Sequence, residues 1–173
     1  TRKPRLSRGF FFTTMNISVR IGMKKDLPAA LALIRELAVF EKAGDQVVTN
    51  VEQMERDGFG SRPVYGFFVA EVDGVIVGLS LYYWRYSTWK GKRLYLEDIV
   101  VTEAWRGKGL GKRLFEATMA KCLEEGCTGM MWQVLEWNTP AIDFYKRYDS
   151  AFDAEWVNCS LEADVIRKRL SGS

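Results

Sequence analysis

The hydrophobic positions change period several times along the chain, and each change marks an element. Ile17, Val19 and Ile21 alternate with Ser18 and Arg20, the two-residue period of a strand. From Leu27 the spacing lengthens through Leu31, Ile34, Leu37, Ala38 and Glu41, which predicts a first helix with Asp26 as N-cap, Pro28 in its first turn and an end near Gly44. Asn50 with Gln53 forms a capping-box pattern for a second, short helix that stops at Asp57-Gly58. Val64 to Val72 reads as a strand, Asp73-Gly74 as a two-residue hairpin turn, and Val75 to Tyr83 as the antiparallel return. Trp84 to Arg93 breaks the pattern with two tryptophans, a tyrosine and four basic residues. It reads as a long hairpin connection whose aromatics either cover the core or line a substrate site.

The stretch from Tyr95 to Glu125 organises the rest. An apolar strand (Tyr95 to Val101) leads through a short turn (Thr102 to Trp105) into a glycine-rich loop, Arg106-Gly107-Lys108-Gly109-Leu110-Gly111, and then a helix with Leu114, Phe115, Thr118, Met119 and Cys122 on helical spacing. Alternating glycines let successive main-chain N–H groups approach one anion, and the following helix adds the positive end of its dipole. Lys108, Lys112 and Arg113 surround the loop with cations, and no acid lies between Arg106 and Arg113. The reading is a phosphate cradle; the plain alternative is a surface turn that only caps a helix. No Gly-Lys-Ser/Thr closes a Walker loop, and the glycine spacing is not that of a dinucleotide fold.

Beyond it, Gly126 and Gly129 bracket a turn into a mostly apolar strand, Met130 to Leu135. Asn138 or Thr139 caps a helix that begins at Pro140 and runs through Ile142, Phe144 and Tyr145 to about Tyr148. Trp156 to Leu161 reads as a last strand, and Glu162 to Leu170 as a helix acidic at its start and basic at its end.

Composition narrows the function classes. The 173 residues, 47% hydrophobic and 27% charged, suit one soluble domain, residues 15–173. Every apolar run is broken by a charge before it reaches membrane-spanning length. Residues 1–14 show no period and read as a disordered leader; they hold Arg2, Lys3, Arg5 and Arg8 with no acid. The net charge of +3 becomes −1 once those four are set aside, so nucleic acid is not an expected partner. Cys122, Cys127 and Cys159 are odd in number without a C-x-x-C, and there is no histidine. No metal site or disulfide framework is suggested, the cytoplasm is the expected compartment, and a Ser-His or Cys-His nucleophile is excluded.

The loop fits Arg/Gln-x-x-Gly-x-Gly/Ala and so resembles the acyl-CoA pyrophosphate loop of the GNAT superfamily of N-acetyltransferases. Glu36 to Lys42, Asp57-Gly58-Phe59-Gly60, Tyr86-Ser87-Thr88-Trp89-Lys90-Gly91, Tyr95-Leu96-Glu97-Asp98 and Trp137-Asn138 with Phe144-Tyr145-Lys146-Arg147 look like the spermidine/spermine (diamine) acetyltransferase family, closest to its thialysine N-epsilon-acetyltransferase branch. The resemblance covers about Ile17 to Trp156. It implies an α/β fold: a mixed, mostly antiparallel twisted sheet, helices on both faces, and a central parallel strand pair splayed at the cofactor. It also implies acetyl-CoA as cosubstrate, a small primary amine as acceptor and a homodimer.

Roles follow onto matching positions. Glu97 matches the carboxylate that relays the amine's proton through water, and Tyr145 the hydroxyl beside the coenzyme's sulfur. Ile99, Val100 and Val101, then Arg106, Gly107, Lys108, Gly109, Leu110, Gly111 and Lys112, with Asn138, Ala141 and Tyr145, match coenzyme contacts. Phe40, Glu41, Ser87, Trp89, Glu97, Met131, Trp132, Gln133 and Glu155 are the candidate amine-site residues. Polyamine enzymes carry an aspartate where Ser87 stands, which weakens the case for a tri- or tetra-amine. The family's glycine after the Tyr-Lys-Arg helix is Asp149, a residue that tolerates left-handed backbone.

An ammonium of pKa about 10.4 must lose a proton before it attacks a thioester, and a carboxylate near 4.3 takes it poorly unless burial raises its value. Glu97 and Asp98 sit on opposite faces of a regular strand, so they serve one site only if a bulge intervenes. Such a bulge would also free a main-chain N–H near Ile99 to Val101 for the oxyanion. Glu97 could instead be a half-buried, hydrogen-bonded carboxylate, and Tyr145 a core residue beside Ile142. Two other functions fit the same residues: a coenzyme-A-binding regulatory module without turnover, and an acetyltransferase acting on proteins.

Overall fold

The computed structural model describes residues 15–171, which fall into two compact units, one ending at Gln133 and one beginning at Val134. The leader expected at residues 1–14 lies outside the described residues. The first unit contains β1 (Ile17–Ile21), α1 (Leu27–Phe40), α2 (Val51–Phe59), β2 (Gly66–Val72), β3 (Val75–Ser87), β4 (Gly91–Val101), α3 (Leu110–Glu124) and β5 (Met130–Met131). The strands form one sheet in the order β1-β2-β3-β4-β5. The first three pairings are antiparallel, and β5 runs parallel to β4 through Leu94 with Met130 and Tyr95 with Met131. This is the mixed sheet that the sequence leads one to expect. Asp73 (φ 48°) and Gly74 (φ 85°) both take the left-handed geometry that a tight hairpin turn demands.

Two apolar clusters sandwich the sheet. On one face Leu27, Ala30, Leu31 and Leu33 of α1 and Met54 of α2 pack with Phe67, Val69, Leu79 and Val100. On the other, Leu110, Leu114 and Cys122 of α3 pack with Phe68, Ala70, Tyr82 and Leu94. Successive residues of β2 serve opposite clusters, which is why Phe67-Phe68-Val69-Ala70 is a continuous apolar run. The α3 helix ends in a Schellman turn: Cys127 N–H donates to the Cys122 carbonyl and Gly126 N–H to that of Leu123, with Gly126 at φ 64°. Cys122 and Cys127 are buried free thiols and Cys159 is an exposed one.

The second unit contains α4 (Thr139–Lys146) and α5 (Ala163–Leu170). Asn138 caps α4, its Oδ1 accepting from Ala141 N–H at 3.3 Å, and Pro140 stands in the first turn. Asp149 takes φ 53°, the left-handed conformation that a glycine would otherwise supply.

Four expectations are revised. Residues 84–87 and 91–93 are strand, so β3 and β4 form one long hairpin with only a three-residue tip; their side chains face solvent in part and do not show the alternation of a half-buried strand. The strand expected from Met130 to Leu135 keeps only two paired residues. Trp156 to Leu161 is exposed and forms no strand, because among the described residues no neighbouring strand pairs with it. Asp26 occupies the N-cap position of α1 with helical backbone and caps nothing there.

Instead the Asp26 carboxylate, almost wholly buried, accepts from Arg20 at 2.6 and 3.1 Å and from Met23 N–H at 2.8 Å. Arg20 also donates to Glu71 at 2.7 and 3.0 Å, so one guanidinium ties β1, β2 and the entry to α1. Its hydrogen bonds hold the Asp26 carboxyl below the usual carboxylate range. A lowered folded-state pKa contributes stability above the unfolded value, near 3.9, and that stability is lost as pH falls through the folded one. Asp26→Asn should therefore lower unfolding stability at pH 7 by about 2 kcal/mol. In urea titrations the gap to wild type should shrink steadily below about pH 4.

Candidate active site

The centre of β4 carries one residue too many. Tyr82 of β3 pairs with Leu96 and Leu81 with Asp98, leaving Glu97 as the extra residue of a β-bulge. The alternation of faces confirms it. Before the bulge Leu94 lies in the α3 cluster, whereas after it Ile99 and Val101 do, and Val100 joins the α1 cluster. The parity has flipped within the intervening residues. Glu97 inherits the face of Tyr95 and Asp98 that of Val100, so both carboxylates come to the α1 side, as the sequence allowed only with a bulge.

Glu41 meets them there as the first residue beyond α1, its N–H bonded to the Leu37 carbonyl at 2.9 Å. Burial raises the Asp98 carboxyl to about 6, with the charges of Glu97 and then Glu41 adding to it. Glu97 opens to solvent on one side and is desolvated on the other, which pushes its pKa up; burial does the same to Glu41. Tyr83 and Tyr95 stack at 5.0 Å beside this group, and both hydroxyls are raised by burial and then by the charge of Glu97. Three carboxylates above their ordinary range, against an aromatic wall, suit a cation or a proton in transit.

Five residues after Val101 the glycine loop begins. Gly107 (φ 73°) and Gly109 (φ 80°) are left-handed, and a Cβ built on either would meet nothing within 4 Å, so the space beside the main chain is open. Gly109 is the N-cap of α3 and no side chain caps that helix. The first-turn N–H groups and the helix dipole thus face an open cradle that fits a diphosphate. The cations around it are partly engaged: Lys108 lies 4.1 Å from the Trp105 ring, Lys112 is 3.7 Å from Glu116, and Arg113 donates to the Ile17 carbonyl at 3.3 Å.

The other expected site residues are placed as follows. Ile99, Val100 and Val101 finish β4 between bulge and loop. Phe40 ends α1, next to Glu41. Met131 pairs with Tyr95 in the last rung of the parallel ladder, and Trp132 packs edge-on against Phe115 at 5.3 Å; Gln133 follows, exposed. Ser87 and Trp89 stand at the tip of the β3–β4 hairpin, roughly 20 Å along the strands from the bulge. There Ser87 Oγ accepts from the N–H groups of Trp89 and Lys90. In the second unit Tyr145 is buried on α4 with the Phe144 ring at 5.3 Å, and Glu155 is exposed, its N–H donating to Asp153.

Residues 32–149 match the model of the Acetyltransferase (GNAT) family. The chain belongs to the GNAT acetyltransferases. It is 41% identical over 163 residues to a thialysine N-epsilon-acetyltransferase of Bos taurus, a match covering 88% of this chain and 96% of that one. A spermidine/spermine N(1)-acetyltransferase-like protein 1 of Homo sapiens is 35% identical over 127 residues, 69% of this chain and 18% of that one. Among solved structures, an aminoglycoside N-acetyltransferase in complex with CoA superimposes with a TM-score of 0.66 at 19% identity, covering 87% of this chain and 97% of that one. The GNAT fold and an N-acetyltransferase are thereby established for this chain.

Among the residues brought together here the sequence missed Asp98, which on a regular strand would face away from Glu97. A signal was present only as the adjacent pair of acids in an apolar strand. Because the raised Asp98 value disfavours its charged form in the folded protein, Asp98 lowers stability as pH rises from about 4 towards 6. Asp98→Asn should therefore unfold at higher urea than wild type at pH 7.5, by up to about 2 kcal/mol, with the advantage gone below about pH 4.

Proposed function

We propose that this GNAT enzyme moves acetyl from acetyl-CoA to a primary amine of a small, lysine-like or diamine substrate. The observation that carries the reading is the bulge at Glu97, which turns two carboxylates towards Glu41 shortly before β4 ends at Val101 and the chain goes on to the glycine loop. Gly107 to Lys112 would hold the coenzyme's diphosphate on main-chain N–H groups, and Ile99 to Val101 would present the backbone to its pantetheine arm. The coenzyme supplies an acetyl thioester, and transfer forms a C–N bond while breaking the C–S bond.

The chain's own groups prepare the amine. Negative charge at Glu41, Glu97 and Asp98 attracts an ammonium into the site. Glu97 then takes its proton, through water, as the neutral amine forms. Burial narrows the gap between the raised carboxyl values and an ammonium near 10.4, and the same surroundings favour the neutral amine. Tyr145 serves the leaving sulfur with a hydrogen bond that strengthens as charge builds there. Ser87, in place of an aspartate, favours a short acceptor over a long polyamine. A lysine-like acceptor fits the 41% identity to a thialysine enzyme better than an aminoglycoside fits the fold-level likeness.

The chain also acts as a homodimer in this reading, supported by the exposed apolar side chains of Trp156, Val157 and Leu161. Light scattering at micromolar concentration should give twice the 19.8 kDa chain mass.

Thiol release with acetyl-CoA should be fastest with thialysine or lysine, slower with putrescine and slowest with spermine. Coenzyme binding without release on any amine would indicate a regulatory module, and acetylation of peptides alone a protein-directed enzyme. Glu97→Gln should cut kcat about 10²-fold while leaving the coenzyme Kd within about twofold. Gly109→Ala, forced into left-handed backbone, should weaken the coenzyme Kd about tenfold.

A further inference from the structure

Arg106 opens the glycine motif, where its charge reads as a ligand for phosphate. Its side chain is turned elsewhere. Nε donates to the Val101 carbonyl at 2.9 Å, the guanidinium carbon lies 5.4 Å from the centre of the Phe40 ring, and Nη2 stands 3.8 Å from Glu36 Oε1. The same Glu36 oxygen accepts the Glu103 N–H at 3.1 Å, so the last turns of α1 are fastened at two points to the segment between β4 and the cradle. Phe40 precedes Glu41, and Glu41 is the residue that faces Asp98 across the bulge.

We infer that Arg106 is a positioning residue for the amine site: a strut from the end of β4 to α1 that sets where Phe40 and Glu41 stand relative to Glu97 and Asp98. The inference rests on the amine-acetylating reading of this site. A guanidinium is suited to the task because its planar fork can hold a carbonyl along one edge, a carboxylate along another and an aromatic face beneath. A lysine ammonium, one point charge on a flexible stem, makes only one of these contacts well. The arrangement also gives the coenzyme loop a mechanical hold on the acceptor pocket, since Val101 to Arg106 runs directly into Gly107.

Arg106→Lys and Glu36→Gln test this in the 173-residue chain. Steady-state kinetics with thialysine at saturating acetyl-CoA, and calorimetry with CoA alone, separate the two sites. Each variant should raise the amine KM about three- to tenfold with the CoA Kd within about twofold. The double variant should be no worse than the worse single one, because both break the same strut. A CoA Kd weakened more than about tenfold by Arg106→Lys, with the amine KM unchanged, would make Arg106 a phosphate ligand and overturn the inference. Should wild type acetylate no amine, the functional reading fails by itself. The strut is then judged by carboxyl NMR: Arg106→Lys should lower the Asp98 titration midpoint as Glu41 moves off, and an unmoved midpoint would sink it.

Discussion

A strand paired with its neighbour keeps its two faces by strict alternation, and β4 breaks that rule once, at Glu97. Everything chemical in the first unit follows from the break. Without the extra residue Asp98 would point away from Glu97, and the main chain beyond it would present the other edge of each residue to the helices. With it, two adjacent acids share one face, and Ile99 to Val101 approach the glycine loop with Val100 anchored under α1 and its neighbours under α3. The bulge is held on both sides by packing, so the geometry is fixed by the fold before any ligand arrives.

Bringing like charges together beside a stacked tyrosine pair costs folding free energy, and the structure offsets it elsewhere. The guanidinium of Arg20, bonded to Asp26 and Glu71, fixes the entry to α1 at its far end; Arg106 and Glu36 fix the other. Between them α1 buries Leu27, Ala30, Leu31 and Leu33 against the sheet. A helix fastened at both ends and along its length can present Glu41 to two other carboxylates without drifting from them.

Periodicity made most of this fold legible. The alternation at Ile17 to Ile21, the helical spacing from Leu27, the Asp73-Gly74 turn and the strand-loop-helix from Tyr95 could be read because local pattern and tertiary packing agree there. What failed depended on a partner. Residues 84–87 and 91–93 are all exposed or half-buried with no alternation between them, and only cross-strand pairing makes them strand. Trp156 to Leu161 has strand-like residues but pairs with no strand among the described residues. Asp26 looked like a cap, but Arg20, six residues earlier, offered its carboxylate a stronger bond. The bulge escaped for the same reason: it is a mismatch between two strands, and the sequence of one does not contain it.

At the close of α3 the main chain sets Cys122 and Cys127 side by side in a Schellman turn, shut away from water, and burial pushes the Cys122 thiol up. With both thiols buried, maleimides and mild oxidants should pass this pair by in the folded protein. Cys159, outside any helix or strand and open to solvent, is left as the natural attachment point for a dye or spin label. Nature has thus provided a single-site reporter in the C-terminal unit without any engineered cysteine.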